Sequence, residues 1–183
     1  SSYETITGTD TANSIIVDTT GDDSVKALGG NDTVTGSGGN DTVALGGGND
    51  LVTQAGDYTG GAIYGGAGND TIYSGNDLSA SAAYGGTGND TIYFVDALSS
   101  SSITGDAGND TLSVAVKLTS SSVYGGISDD TTTDGADSLT FVGSVSNSFV
   151  QGNAGADTID FTEVVLGSSA RGGADADSMI FDK

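Results

Sequence analysis

Apolar residues in this chain recur at a long fixed interval rather than at helical spacing. Ile72 and Ile92 lie 20 residues apart, and Leu112, Leu139, Ile159 and Met179 continue the series. Three more ladders keep the same beat: Ile63, Ala83, Ile103, Val123, Val150 and Ala170; Phe94, Val114, Phe141, Phe161 and Phe181; and Tyr58, Leu78, Leu98, Leu118, Val145 and Val165. Every ladder takes one step of 27 instead of 20 at the same place, between Leu112 and Leu139 in the first. The ladder residues sit in short stretches such as DTIYF and SSSIT, alternating and rich in β-branched and aromatic residues, which predicts strands. Twenty residues then hold two strands and two turns, one coil of a parallel solenoid. The prediction is all-β: a right-handed parallel β-roll or β-solenoid of about nine coils, 18–20 residues each, roughly 43 Å tall at the interstrand spacing.

The turns carry a second pattern. YGGAGNDTIY (64–73) returns as YGGTGNDTIY (84–93) with one change. The aspartate that closes each glycine loop recurs every nine residues at Asp23, Asp32, Asp41 and Asp50. It then recurs every 20 at Asp70, Asp90 and Asp110, and again at Asp137, Asp157 and Asp177. This predicts one β-roll over residues 1–183, with 18-residue coils to about residue 55, 20-residue coils after it and a surface insertion near 127–133.

Charge changes the picture. The chain has 25 acidic and 4 basic residues, a net charge of −21, 31 glycines and neither cysteine nor histidine. That balance excludes nucleic acid as a partner, since phosphates need Lys and Arg. It disfavours an anionic membrane surface too. No apolar run approaches 18 residues, so no direct membrane insertion is expected. The chain begins at Ser1 rather than Met, the expectation for a processed product or a fragment. Low hydropathy with high charge also describes disordered linkers, but a linker needs no register.

Glycine lets a turn curl until several carbonyl oxygens face one spot, and each Asp adds a carboxylate there. Stacking brings the next loop's oxygens alongside, giving a cage of hard oxygens suited to Ca²⁺. Zinc would want His or Cys. Roughly seven to ten Ca²⁺ ions are expected, and ten would come close to cancelling the net charge. Without them, stacked carboxylates repel, so folding is expected to depend on the ion.

GGNDTV, GGGNDLV, GGAGNDTIY and GGTGNDTIY resemble the GGxGxDxUx nonapeptide of the RTX, or haemolysin-type, calcium-binding repeat. The resemblance implies a β-roll with Ca²⁺ between stacked loops, in a secreted bacterial protein. Carried over position by position, it places metal ligands at Asp23, Asp32, Asp41, Asp50, Asp70, Asp90, Asp110, Asp137, Asp157 and Asp177. A long ion column is expected on the Asp32/Asp50/Asp70 side and a short one around Asp23 and Asp41. GNAGAD and GGADAD depart from the pattern, and Asn13 stands at an aspartate position.

Catalysis is not expected. The serines have no histidine, and Asp22/Asp23 and Asp129/Asp130 are neighbours that point to opposite faces. Asp129 and Asp130 could add one more Ca²⁺ site. Tyr64, Tyr84, Tyr124, Tyr73 and Tyr93 are expected to face outward and stack across strands. Thr71, Thr91, Thr111 and Thr158 form an outward ladder that resembles calcium-dependent ice-binding solenoids. The expected function is a structural, calcium-binding β-roll of a secreted bacterial cell-surface protein: a surface layer, adhesin or extracellular filament. The alternatives are the secretion and folding module of an RTX toxin or hydrolase, and an ice- or glycan-binding adhesin segment. The two ends of the chain lie nearly in phase, so end-to-end or lattice self-association is expected.

Overall fold

The computed structural model describes residues 3–17, 21–127 and 132–182. All regular structure among them is β-strand. Nine strands form one parallel sheet, from Thr5–Thr9 to Ser169–Gly173, and nine form a second, from Ser14–Ile16 to Ser178–Phe181. A third sheet of six short strands runs from Tyr58–Thr59 to Val165–Leu166. Each coil contributes one strand to the first sheet, passes through a glycine loop, and contributes one to the second.

The four ladders stack residue on residue. Ile63 pairs with Ala83 and then Ile103 in the first sheet. Ile72, Ile92, Leu112, Leu139, Ile159 and Met179 follow one another in the second. Tyr58, Leu78, Leu98, Leu118, Val145 and Val165 make the third. Nearly all of these side chains are buried in one continuous core, with Phe94, Phe141 and Phe161 the bulkiest along one column. Phe141 stacks on Phe161 at 5.2 Å and Phe161 on Phe181 at 5.0 Å. Uniform spacing is what lets identical rings stack, so one column can repeat one residue type.

Two expectations need correction. The sequence predicts two strands per coil, yet the 20-residue coils have three. The bend in stretches such as VDALSS is itself a strand, because Leu98 points inward and its backbone pairs with the coils on either side. The first coil steps by 19 residues, from Ile6 to Val25 and from Ile15 to Val34. Steps of 18 follow, Val25 to Val43 and Val34 to Val52, and then steps of 20 begin.

Leaving the third sheet, the backbone turns through a left-handed residue at the same place each time. Ala80, Ser100, Ser120 and Asn147 there have φ of 50–52°, and Gly60 and Gly167 share the position. Two residues later the chain re-enters the first sheet.

Candidate metal centre

The glycine loops place their aspartates in two vertical columns. In the long column, Asp50 Oδ1 accepts the backbone N–H of Asp32 at 2.6 Å and Asp70 Oδ1 accepts that of Asp50 at 2.9 Å. The same bond repeats through Asp90, Asp110, Asp137, Asp157 and Asp177. The column begins at Asn13, whose N–H donates to Asp32. In the short column, Asp41 accepts from Asp23, and Asp23 accepts from Glu4. So the ten sequence-predicted aspartates stack as two series, eight in the long column and Asp23 and Asp41 in the short one. Nine are buried; Asp177, in the last coil, is partly exposed. Asp129 and Asp130 lie outside the described residues.

Each carboxylate has a second oxygen. Oδ2 of Asp23, Asp32, Asp50, Asp70, Asp90, Asp110, Asp137 and Asp157 is buried with no hydrogen-bond partner. A buried acceptor left unpaired costs about 1–3 kcal/mol, more if charged. Burial accordingly pushes Asp70, Asp90 and Asp157 up to about 6, Asp110 to about 7 and Asp137 to about 8. The inter-coil hydrogen bond opposes the rise. Neighbouring carboxylates add to it; at Asp110 these are Asp90, Asp134 and Asp106.

The space around Oδ2 is shaped by the first glycine of the loop. A β-carbon at Gly85 would stand closer than 3.0 Å to Asp90 Oδ2 and to the carbonyl oxygen of Gly105 in the next coil. Gly65, Gly105, Gly125 and Gly152 repeat the arrangement with Asp70, Asp110, Asp137 and Asp157. A carboxylate oxygen from one coil and a carbonyl oxygen from the next thus face one hollow. No three acidic side chains converge among the described residues. The donor set is one carboxylate per coil plus backbone carbonyls, all hard oxygens, and that set fits Ca²⁺. The unpaired Oδ2 atoms are the places a cation would neutralise.

The left-handed positions inside the loops are filled in more than one way. Gly68, Gly88 and Gly108 have φ of 128–134°, where a side chain would be strained. Asp106 and Asn153 replace the second glycine at φ of 72° and 84°, and Asp175 replaces the fourth at 76°. Asp and Asn tolerate this region better than other residues.

Sequence reasoning left one feature of the short column unrecognised. Above Asp41 its backbone bonds continue through Gly61, Ser81, Ser101, Ser121 and Ser148. Ser101 Oγ accepts the N–H of Ser81, as an aspartate Oδ1 does on the other side, and donates to the Ser99 carbonyl at 2.8 Å. Ser121 and Ser148 repeat that pair of bonds, while Ser81 donates to Ser79 in the same way but accepts the N–H of Gly60, the residue before Gly61. A hydroxyl both donates and accepts, so it is satisfied without an ion; a carboxylate only accepts. The serine period of 20 was visible in the sequence, but its equivalence to the aspartate column was not.

A model of the RTX calcium-binding nonapeptide repeat matches the chain in four copies, over residues 17–52, 62–77, 83–93, 100–114 and 131–162. Neither a curated protein nor a solved structure matches it. On that match, which covers more than half its length, and on the stacked glycine loops beneath it, the chain belongs to the RTX calcium-binding nonapeptide repeat family.

Proposed function

We propose that the ten stacked aspartates hold Ca²⁺ between coils, and that the chain serves as a calcium-cemented structural rod in a secreted bacterial cell-surface protein. The observation that carries this is the series of buried, unpaired Oδ2 atoms, which at Asp70, Asp90, Asp110, Asp137 and Asp157 lie beside a carbonyl of the next coil. The serine side is self-sufficient; the aspartate side asks for a cation at every step. Such demand suits the calcium-rich medium outside a cell, where modules of this kind work at 10⁻⁴–10⁻³ M affinities. A rod of one repeated coil, in a chain with neither histidine nor cysteine, supports a structural role over a catalytic one.

Self-association fits the same reading. The last coil leaves Met179, Ile180 and Phe181 exposed by 45%, 41% and 54%. A following coil, from a second copy or from further chain, would cover them. A second reading, ice binding, draws on the outward column of Thr71, Thr91, Thr111 and Thr158, which lies in register with Ser138 as its one interruption. A thermal-hysteresis assay tests that reading directly.

The main test is circular dichroism through a calcium titration, followed by chelator. Strand signal should appear with Ca²⁺ and vanish without it. An undiminished strand signal in chelator at neutral pH would reject the proposal.

A further inference from the structure

On the outer face of the first sheet, Tyr64 and Tyr84 stack with ring centroids 5.0 Å apart and planes 4° from parallel. The register carries their column on through Thr104, Tyr124, Gln151 and Arg171. Thr104 therefore stands where the next ring would be, one strand from Tyr84 and one from Tyr124. Two strand spacings, about 9.6 Å, separate those rings, which is room for one flat group in stacking contact with both. A cavity of about 410 Å³ opens at this point, lined by Tyr84, Ser102, Thr104, Asp106, Tyr124 and Asn153 among others.

The cavity wall sets one carboxylate, Asp106, among the hydroxyls of Tyr84, Ser102, Thr104 and Tyr124. Asp106 Oδ1 accepts the Thr104 hydroxyl at 3.0 Å. Asn153 is 3% exposed; its amide nitrogen donates to the Gly126 carbonyl, and its Oδ1 has no hydrogen-bond partner. Asp106 is the charged side chain among the lining residues, and its strand lies between those that carry Tyr84 and Tyr124.

We propose that this slot binds a planar cation, the guanidinium of an arginine on a partner polypeptide, sandwiched between Tyr84 and Tyr124 with Asp106 as its counter-charge. A guanidinium is flat, carries five donors and no acceptor, and stacks on aromatic rings. The Asp106 carboxylate favours a cation, and the gap between two aromatic strands favours a flat one. A sugar ring would also stack, but it brings no charge to meet Asp106. A lysine ammonium is compact and would leave the slot underfilled. The same face already takes such a group from the chain itself: Arg171 lies over the Phe149 ring, 5.5 Å from its centroid. The net charge of −21 draws cations toward the surface.

The test uses the full chain in excess Ca²⁺, with the peptide Gly-Arg-Gly as probe. Gly-Lys-Gly and a maltose oligosaccharide serve as comparisons. Binding is read from ring-proton shifts of Tyr84 and Tyr124. Gly-Arg-Gly should bind about tenfold or more tightly than Gly-Lys-Gly. Thr104→Tyr, which fills the gap with the ring its neighbours already stack, should abolish binding. Asp106→Asn, which suits the left-handed backbone there, should weaken it about tenfold. Calcium-dependent circular dichroism checks that both variants fold; should Thr104→Tyr misfold, Asp106→Asn decides alone. Equal affinity for the two peptides, binding of the sugar in place of arginine, or unchanged affinity in Asp106→Asn overturns the proposal. So does loss of one bound Ca²⁺ in Asp106→Asn by calorimetry, since Asp106 would then be a metal ligand.

Discussion

The Tyr58 hydroxyl donates to the backbone carbonyl of Asp41, and its ring occupies the space that a side chain at Gly61 would fill. This is the junction at which the short column changes from carboxylates to hydroxyls. Gly61 is the one position between Asp41 and Ser81 in that column, and Tyr58 opens the ladder that Leu78, Leu98 and Leu118 continue. The two residues compensate each other: a large ring where later coils have leucine, and no side chain where later coils have serine.

That compensation predicts a coupled pair. Gly61→Ser alone should clash with Tyr58 and cost about 1–3 kcal/mol. Tyr58→Leu alone should leave a hole and cost about 2 kcal/mol. Together they reproduce the Leu78/Ser81 pair of the next coil, so the double variant should lose less than the sum by at least about 1 kcal/mol. Denaturant unfolding in saturating Ca²⁺ measures all four proteins. Strictly additive losses would show that the two sites do not share this space.

The left-handed corner gives a second prediction. Ala80 sits at φ of 52°, in a column where Gly60 and Gly167 hold the same place. Ala80→Gly relieves the backbone strain of a β-carbon there, which outweighs the added freedom of the unfolded chain. The expected gain is about 0.5–1 kcal/mol in the same unfolding assay. A loss of stability would mean that the corner is not strained in solution.

Much of this architecture was legible because a solenoid writes its register into its sequence. Ile72, Ile92 and Leu112 lie 20 residues apart because they lie one strand apart, so period and contact are the same fact. The aspartate series was legible for the same reason. The third sheet was not: its strands are two or three residues long, too short for alternation to show, and Leu98–Ser99 looks like part of a bend. Nor was the left-handed corner, because Ala80 and Ser100 are ordinary residues and only Gly60, Asn147 and Gly167 hint at it. The Thr104 gap needed the outward column in view, since a missing ring leaves no mark on the inward ladders.

Acidity should partly replace calcium. Burial raises Asp70, Asp90 and Asp157 to about 6, Asp110 to about 7 and Asp137 to about 8, from an ordinary 3.8. In the metal-free fold these groups keep protons that the unfolded chain releases near pH 4. The folded state then binds more protons, so stability falls as pH rises through that window. In chelator, strand content should be highest near pH 4 and lost progressively between about pH 4 and 8. Circular dichroism against pH, with and without Ca²⁺, measures this; a chelated protein that gains strand on going from pH 4 to 8 would contradict it.

The sharpest separation between an ion ligand and an ordinary hydrogen-bonding residue comes at Asp90. Its Oδ1 accepts the Asp70 N–H at 2.7 Å, while Oδ2 is unpaired and the Gly105 carbonyl flanks the same hollow at Gly85. Asp90→Asn keeps the first acceptor and turns the second oxygen into a donor beside that carbonyl. Without calcium, the variant removes a buried unpaired acceptor and should be more stable by about 1 kcal/mol. With calcium, it removes a carboxylate ligand and should lose about 1–1.5 kcal/mol, the linkage from one site at about ten times its dissociation constant. Opposite signs at one residue are the signature of a carboxylate kept for a cation. A structural aspartate would shift both forms the same way, and unfolding curves of the variant and parent in chelator at about pH 6, where part of the metal-free fold survives, and in millimolar Ca²⁺ tell the two apart.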